Sequence, residues 1–363
     1  MPLIWCAISS HGYGHAAQVV PVLNALAHHV PDLHAVLRTQ VPASFFSHRL
    51  LLPYTLSPMA LDIGCVQDGP LTIDVARTWA EHLRFHRGWN QKLDTEARAL
   101  REAQPALVLS DISPLAIAAA RQAGIRAAAI GSLTWDVILE PYLTQDPAER
   151  MAQTEVLDQI RGAYAQTELM VRLAPGLPMP ACPLVKDVGP LVQPVTANRT
   201  GLRRAVGAAA DERVAVVAFG GIPLRALPIE RMEAMAGWQC VVSGPVPAGC
   251  RRIRSAESVP FPFGVTLVSG DLILTKPGYS TIVEAVRHRT PVVYVRRYNF
   301  ADEEGLVRYL HRHGRGVELE SGAFAKGNWE EAFDRAVRLD LPPEGPPEAR
   351  GAIDAAALLA EYF

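Results

Sequence analysis

The chain has 363 residues, of which 49% are hydrophobic, and its formal net charge is -2 at pH 7. This length predicts two domains, each able to bury a core. Both charge signs are interspersed, so composition gives no electrostatic case for nucleic acid as the main partner. The five cysteines form no CxxC pair, which argues against a zinc site or a disulfide framework and fits a reducing compartment. No apolar run reaches about 18 residues, so we expect no transmembrane segment and a cytoplasmic protein.

The first half of the chain alternates strand and helix patterns. Its opening apolar run has no basic segment before it and predicts a first strand rather than a signal peptide. The predicted strands cover residues 3–8, 33–38, 106–110 and 127–130, and the predicted helices cover residues 18–29, 74–103 with a break near Gly88, and 114–123. Short apolar strands separated by helices predict a parallel sheet covered on both faces.

A proline-rich stretch over residues 174–199 interrupts this series and predicts an interdomain linker. After it the predicted strands cover residues 214–219, 240–243, 272–275 and 292–295, and a terminal helix covers 349–362. We therefore predict an α/β protein with two Rossmann-like parallel-sheet domains that face each other across a cleft. The predicted domains are residues 1–185 on the acceptor side, residues 186–345 on the donor side, and a helix within 346–363 that packs back on a domain.

The most informative stretch is residues 271–284, with the sequence DLILTKPGYSTIVE. It predicts a buried strand, a sharp turn over residues 276–278 and a helix that opens at Ser280 and Thr281. Unpaired backbone N–H groups at the positive end of a helix dipole suit a diphosphate. Glu284, one turn into the helix, can accept hydrogen bonds from ribose hydroxyls. A capped helix after a buried strand also explains such a turn, so the motif alone supports only a hypothesis.

Two histidines flank glycines where the first strand ends, in the sequence SSHGYGHAAQ. Gly12 and Gly14 allow tight backbone geometry and close approach of a ligand. The GxGxxG pattern is absent, so a dinucleotide site is disfavoured. His15 or His11 could act as a general base, since the unperturbed pKa of histidine is about 6.5, or the pair could cap the helix and fill the loop. No third ligand follows nearby in the sequence, which disfavours a metal.

Other strand ends also carry candidate residues. Asp111 ends the third predicted strand and could orient a base, contact a sugar hydroxyl or cap the next helix. The strand ends of the second half could approach a phosphate or be plain turns, at Gly220, Gly221, Ser243 and Gly244. Phe261 and Phe263 could line a nucleobase pocket or merely pack.

The loop after the strand over residues 292–295 concentrates polar groups. Its arginines could neutralise phosphate charge and its amide and acidic groups could bind sugar hydroxyls, or the loop is simply a solvated helix start. These candidates are Arg296, Arg297, Asn299, Asp302, Glu303 and Glu304. Aromatic side chains in the first half recur at helical spacing, which indicates that they pack in the core rather than take part in catalysis. This aromatic stripe comprises Trp79, His82, Phe85, His86 and Trp89.

The glycine-rich strand ends of both halves resemble those of the GT-B glycosyltransferases, especially glycosyltransferase family 28. That group includes the enzyme that adds N-acetylglucosamine to the lipid-linked peptidoglycan precursor. His15 matches the histidine that follows glycines in its N-terminal loop, and Asp271, Gly278, Thr281 and Glu284 match its C-terminal signature with the same spacing. The N-terminal loop is also similar to that of the glycosyltransferase-like domain beside sugar kinases in arabinokinase-type proteins. The Gln-rich sugar-binding pattern of the peptidoglycan enzyme is absent, which leaves the donor sugar open.

The resemblance implies an inverting, metal-independent glycosyltransferase that uses a nucleotide-diphosphate sugar, with a UDP-sugar favoured, and no other cofactor. The acceptor could be a small molecule, a lipid-linked compound or a glycan. Departure of the diphosphate needs positive charge, which helix dipoles with Lys276 or Arg296 could supply. The predicted catalytic residues are His15, His11 and Asp111. The predicted donor-binding residues are Gly12, Gly14, Gly220, Gly221, Ser243, Gly244, Phe261, Phe263, Lys276, Gly278, Tyr279, Ser280, Thr281, Glu284, Arg296, Asn299, Asp302 and Glu303.

Two alternative functions fit the same sequence. One is a non-hydrolysing nucleotide-sugar epimerase of the same fold, for which Asp111 and Glu303 could serve as acid and base. The other is a non-catalytic protein that binds nucleotide sugars. Transfer would require an acceptor, whereas epimerisation would not, so the dependence of turnover on an acceptor separates these functions.

Overall fold

The computed structural model describes residues 1–220 and 227–363. These residues form two compact units. The first unit consists of Met1–Val66, Ile73–Leu191 and Ala349–Phe363, and the second consists of Gln67–Thr72 and Val192–Glu348. Within the described ranges, no helix is both long enough and apolar enough to cross a membrane.

The first unit is built on a seven-stranded sheet in which every neighbouring pair is parallel. Its strands are β1 (Leu3–Ile8), β2 (His34–Arg38), β3 (Tyr54–Ser57), β4 (Leu107–Asp111), β5 (Ala127–Gly131), β6 (Leu169–Leu173) and β7 (Val185–Val188), in the spatial order β3-β2-β1-β4-β5-β6-β7. All five residues of β4 and of β5 are buried, as the apolar runs of a sheet covered on both faces require.

Seven helices of the first unit connect these strands. They are α1 (Tyr13–His29), α2 (Ala43–Phe46), α3 (Val75–Arg87), α4 (Trp89–Ala103), α5 (Pro114–Ala123), α6 (Trp135–Leu139) and α7 (Pro147–Tyr164). Sequence signals explain α5 well, because the Ser113 side chain caps it, Pro114 opens it and Gly124 ends it in the left-handed region. Gly88 separates α3 from α4, as predicted.

The second unit is built on a six-stranded parallel sheet. Its strands are β8 (Arg213–Val217), β9 (Trp238–Val242), β10 (Ile253–Ser255), β11 (Leu272–Thr275), β12 (Val292–Tyr294) and β13 (Gly316–Glu318), in the spatial order β10-β9-β8-β11-β12-β13. Its helices are α8 (Arg199–Val206), α9 (Ile229–Ala234), α10 (Phe263–Ser269), α11 (Tyr279–Arg287), α12 (Glu303–His313), α13 (Ser321–Lys326) and α14 (Glu330–Arg338). The Asp271 carboxylate accepts the backbone N–H of Val214, which ties β11 to β8.

Two segments distant in sequence complete these units. The last helix, α15 (Gly351–Ala360), packs on α1 in the first unit, and its Gly351 N–H donates to the Pro190 carbonyl. The short segment Gln67–Thr72 belongs to the second unit, where Leu71 packs against the hydrophobic core. The first unit is therefore assembled from three pieces of chain.

The prediction of two parallel-sheet α/β units is confirmed, but some element boundaries were wrong. The helix predicted from residue 18 begins at Tyr13. The prediction began too late because glycine at residue 14 weakens the helical pattern of the first turn. The stretch predicted as a linker over residues 174–199 contains β7, an edge strand of only four residues among prolines. Strands β3, β6, β7, β10 and β13 had no prediction. The aromatic stripe on α3 is core, since Trp79, His82 and Phe85 are buried.

Candidate functional site

A histidine–carboxylate pair lies at the carboxyl edge of the first sheet. Strands β1 and β4 are neighbours, with Ile8 in register with Asp111, so the loop after β1 meets the end of β4. His15 Nδ1 lies 3.1 Å from Asp111 Oδ1, and the backbone N–H of Ser9 donates to Oδ2 over 3.2 Å. Only 1% of the Asp111 side chain is exposed, against 18% for His15. The structure thus brings together two of the three predicted catalytic residues.

The Asp111 carboxylate orients the His15 ring. A carboxylate only accepts hydrogen bonds, so Nδ1 of His15 carries a proton in this pair. A neutral imidazole oriented by a buried carboxylate is the arrangement of a general base. A pair of this kind can remove a proton from a hydroxyl group when its imidazole is neutral.

His11, the third predicted catalytic residue, lies in a different hydrogen-bonding environment. Its Nε2 accepts the backbone N–H of Gly64 over 2.5 Å and lies 3.9 Å from Asp62 Oδ1. Burial lowers the pKa of His11 below its usual value, the Asp62 carboxylate opposes this shift, and nearby His15 adds to it. The ring is therefore neutral at pH 7.

Three residues that sequence reasoning missed border these histidines. The Trp135 indole centroid lies 5.8 Å from the His11 ring and 6.2 Å from the His15 ring, and its Nε1–H donates to Asp62 Oδ2 over 3.0 Å. Trp135 follows the carboxyl end of β5, so the rule that singled out Asp111 could have found it. Asp62 and Gly64 lie in an irregular segment whose sequence carries no comparable signal.

The predicted anion-binding turn lies at the carboxyl edge of the second sheet. Helix α11 begins at Tyr279, one residue before the predicted Ser280, and its N-cap residue is Gly278, which has no side chain to cap the first turn. Gly220 follows β8 with a φ of 72°, and a Cβ placed on it would lie 3.8 Å from Lys276 Cε. The ends of β8 and β11 therefore meet here, as neighbouring parallel strands require.

Lys276 supplies positive charge at this turn. Its Nζ donates to Gln67 Oε1 over 3.4 Å. Burial lowers the pKa of Lys276 to about 8, the neighbouring Arg297 adds to this shift, and the carboxylates of Asp302 and Glu303 oppose it. A cation held in a poorly solvated place is well suited to a phosphate, which compensates for the lost water.

Glu284 has one carboxylate oxygen without a hydrogen bond. Its Oε1 accepts the backbone N–H of Gln193 over 2.5 Å, whereas Oε2 is buried and has no hydrogen-bond partner among the described residues. Burial raises the pKa of Glu284 to about 7, and the Gln193 hydrogen bond opposes this shift. A buried carboxylate with an unsatisfied oxygen can accept a ligand hydroxyl.

The loop after β12 contains a buried ion pair. Arg297 donates to Glu303 Oε1 through its side chain at 2.5 Å and to Oε2 through its backbone N–H at 2.9 Å, and both side chains are buried. Glu303 is thus held inside the protein. Asp302 Oδ1 is buried without a hydrogen-bond partner in the described part of the chain, and burial raises the pKa of Asp302 to about 7. Arg296 pairs with Glu304 at 3.0 Å and lies over the Tyr298 ring.

The remaining predicted donor residues are spread over both units. Gly12 caps α1 with a φ of 98°, and Gly14 lies in the first turn of that helix. Gly244 follows β9 with a φ of 100°, and Phe263 begins α10 with 42% of its surface exposed. Phe261 is half-buried and Ser243 is exposed. Gly221 lies outside the described residues.

Solved glycosyltransferases match this chain over almost its whole length. The calicheamicin glycosyltransferase CalG4 matches with a TM-score of 0.64 and 18% identity, over 99% of this chain and 97% of that chain. UGT2 of Phytolacca americana, complexed with UDP-2fluoro-glucose and pterostilbene, matches with a TM-score of 0.60 and 16% identity, over 99% of this chain and 94% of that chain. This chain has the GT-B fold. The two parallel sheets of the described residues agree with it, and the predicted fold is confirmed.

A third GT-B structure, UGT71G1 of Medicago truncatula complexed with UDP-glucose, matches with a TM-score of 0.60 and 11% identity, over 99% of this chain and 98% of that chain. In sequence, the chain is 30% identical over 345 residues to an L-arabinokinase of Arabidopsis thaliana, covering 93% of this chain. The chain spans only 32% of that relative's length. No family model matches the sequence.

Proposed function

We propose that this GT-B chain is a glycosyltransferase that moves a sugar from a UDP-sugar to an acceptor hydroxyl. The observation that carries the proposal is the His15–Asp111 pair at the carboxyl edge of the first sheet. A parallel sheet binds ligands at that edge, and a neutral His15 oriented by Asp111 would accept a hydroxyl proton. His15 is the proposed base and Asp111 the residue that orients it.

The second unit supplies the proposed donor site. The N-terminus of α11, whose N-cap is Gly278, and the Lys276 ammonium would bind the diphosphate, because a helix N-terminus and an ammonium both attract negative charge. Glu284 Oε2 would accept a ribose hydroxyl, which would satisfy its missing hydrogen bond. Asp302 Oδ1 is the proposed acceptor for a sugar hydroxyl for the same reason. Glu303 supports the loop instead, since Arg297 already engages both of its oxygens.

The proposed reaction is a single displacement that inverts the anomeric carbon. His15 Nε2 takes the acceptor proton while the acceptor oxygen forms a bond to the anomeric carbon. The bond from that carbon to the diphosphate oxygen breaks, and its electron pair leaves with UDP. The developing negative charge is stabilised by Lys276 and by the N-terminal dipole of α11, so we propose that no metal is needed.

The solved GT-B proteins support a UDP-sugar as the proposed donor. The Medicago enzyme is complexed with UDP-glucose, and the Phytolacca enzyme with a UDP-fluoroglucose and pterostilbene. UDP-glucose is therefore the first donor to test, with phenols as first acceptors. The name of the arabinokinase relative describes a protein of which this chain covers 32%, and we assign no kinase activity to the chain.

The test measures UDP released from UDP-glucose with and without a panel of hydroxyl acceptors, in EDTA. We expect release only with an acceptor, a product of inverted anomeric configuration by NMR, and a 10²- to 10⁴-fold lower kcat in Asp111→Asn, on the order of a general-base contribution. His15→Ala should lower kcat by a similar factor, and replacement of the exposed His48 by Ala is its matched control.

Two outcomes would overturn the proposal. Interconversion of UDP-sugars without an acceptor would indicate an epimerase. Tight binding of UDP-sugars by calorimetry, with no turnover across the donors and acceptors tested, would indicate a non-catalytic binding protein.

A further inference from the structure

The chain reverses direction after Asp111 at a single residue, Ile112. Strand β4 ends at Asp111 and helix α5 begins at Pro114, so only Ile112 and Ser113 connect them. Ser113 caps the helix and precedes a proline, and both roles favour an extended backbone, which it has at φ -72° and ψ 111°. The reversal therefore falls on Ile112, whose φ is 54°.

The left-handed conformation of Ile112 is imposed by its neighbours. A β-branched residue is strongly disfavoured in this region, and it persists there only when the surrounding structure holds it. Ile112 is buried. A Cβ added to Gly131, the last residue of β5, would lie 2.7 Å from Ile112 Cγ2, so glycine at residue 131 leaves room for this side chain.

The hydroxyl group of Tyr164 holds the turn from behind. Tyr164 is the last residue of α7 and is fully buried. Its hydroxyl donates to the Ile112 carbonyl over 2.7 Å and accepts the backbone N–H of Trp135, the first residue of α6, over 3.2 Å. Burial raises the pKa of Tyr164 well above its usual value, and the Trp135 N–H opposes this shift. The hydroxyl therefore keeps the proton that it donates to Ile112.

The conformation of Ile112 sets how the chain leaves Asp111, whose carboxylate accepts the Ser9 N–H over 3.2 Å and lies 3.1 Å from His15 Nδ1. We infer that Tyr164 is a positioning residue, whose hydroxyl holds the left-handed turn at Ile112 and thereby fixes the Asp111 carboxylate against His15. The inference rests on the proposed function, in which His15 is the base. Tyr164 acts through the turn and not on the substrate.

The first test needs no ligand. Tyr164→Phe removes the hydroxyl and keeps the ring. We expect the Ser9 amide to exchange with D₂O about three- to tenfold faster, which is the effect of one neutral hydrogen bond, relative to amides in the middle of β1. Those amides lie in the ladders with β2 and β4 and report the stability of the sheet. Unchanged exchange at Ser9, or equal acceleration throughout β1, would overturn the inference.

The second test is kinetic and uses UDP-glucose with an accepted hydroxyl compound. We expect Tyr164→Phe to lower kcat about three- to tenfold without a change in the KM for UDP-glucose. Because Tyr164 acts through Asp111, Tyr164→Phe/Asp111→Asn should have nearly the same kcat as Asp111→Asn alone. A loss of folded protein would lower kcat by the same factor in both backgrounds, and that result would overturn the inference.

Gly131→Ala tests the turn from its other side, because the added methyl group displaces Ile112 and leaves the Tyr164 hydroxyl in place. We expect faster exchange at Ser9 and a lower kcat. Gly162→Ala, in the same helix as Tyr164, adds a Cβ that meets no atom within 4 Å and should change neither quantity. Unchanged exchange at Ser9 in Gly131→Ala would overturn the inference.

Tyr294→Phe is the control for loss of a buried tyrosine hydroxyl. That hydroxyl bonds to His311 Nε2 over 2.9 Å in the second unit, so its removal should not alter exchange at Ser9. Failure of the proposed function has a different signature, which is UDP release that no acceptor stimulates. In that case exchange at Ser9 still decides whether the Tyr164 hydroxyl holds the turn beside Asp111.

Discussion

The backbone N–H of Gln193 donates to Glu284 Oε1, while no hydrogen bond among the described residues reaches Glu284 Oε2. The carboxylate is therefore half satisfied and largely desolvated, which raises its pKa to about 7. Such a group costs stability when no ligand is bound and gains a hydrogen bond when a hydroxyl arrives.

Glu284→Gln should stabilise the ligand-free protein at pH 8. The unfolded carboxyl loses its proton near pH 4.5, but the native carboxyl keeps it up to about pH 7, so stability falls as pH rises between these values. Above pH 7 the cost is complete, on the order of 3 kcal/mol. Gln carries no charge and removes this cost. Urea unfolding at pH 5 and pH 8 measures the difference, with Glu304→Gln, whose side chain is 59% exposed, as the control. A variant no more stable than the native chain at pH 8 would contradict this expectation.

The same substitution should weaken binding of UDP. A ribose hydroxyl that donates to an ionised carboxylate contributes about 1.5–3 kcal/mol, so affinity should fall roughly 10- to 100-fold. The part of the UDP binding free energy that depends on the ribose hydroxyls should also increase between pH 6 and pH 8 as Glu284 ionises. Calorimetry with UDP and 2′,3′-dideoxy-UDP separates this part from titration of the phosphates. If Glu284→Gln lowered the affinity for UDP and for 2′,3′-dideoxy-UDP equally, Glu284 would not bind the ribose hydroxyls.

Lys276→Gln should weaken binding of UDP but not of uridine. The ammonium is expected to contact the diphosphate, and a charge-assisted hydrogen bond is worth about 1.5–3 kcal/mol, or roughly 10- to 100-fold in affinity. Thermal shifts and calorimetry with UDP, UMP and uridine locate the lost contact. Lys326→Gln on the exposed end of α13 is the control for removal of one positive charge. A comparable loss for uridine would place Lys276 outside the diphosphate site.

Glu303→Gln should destabilise the second unit by about 3–5 kcal/mol, because it leaves the buried Arg297 guanidinium without its counter-charge. The double variant Arg297→Met/Glu303→Leu should recover most of this loss, since neither charge is then left unpaired. Urea unfolding measures both variants, and Glu304→Gln at the neighbouring exposed position should cost less than about 1 kcal/mol. Little effect of Glu303→Gln would show that solvent reaches Arg297.

Sequence patterns predicted the parts of this molecule that depend on local signals. Buried strands such as β1, β4 and β11 read as apolar runs, and the rule that parallel strands bind ligands at their carboxyl ends singled out His15, Asp111 and Lys276. The pairing of His15 with Asp111 depends on the register of β1 against β4, between residues 96 positions apart, and no local pattern carries that information.

The missed features have a common physical cause, which is that their roles arise from tertiary contacts. Gly64 lies in an irregular segment and matters only because the His11 ring lies against its backbone. Gln67 meets Lys276 across more than two hundred residues of sequence. Glu303 was predicted to bind the donor sugar, but it forms an internal ion pair instead. The side chain and the backbone N–H of Arg297 both donate to its carboxylate.

The packing of α15 on α1 also constrains how the protein is made. The ribosome produces α1 before residues 192–348 and α15 only after them. The surface of α1 that α15 covers must therefore remain uncovered throughout synthesis of the second unit, a period of many seconds at about 5–20 residues per second. A nascent chain stalled between residues 192 and 348 would therefore leave this surface of α1 uncovered.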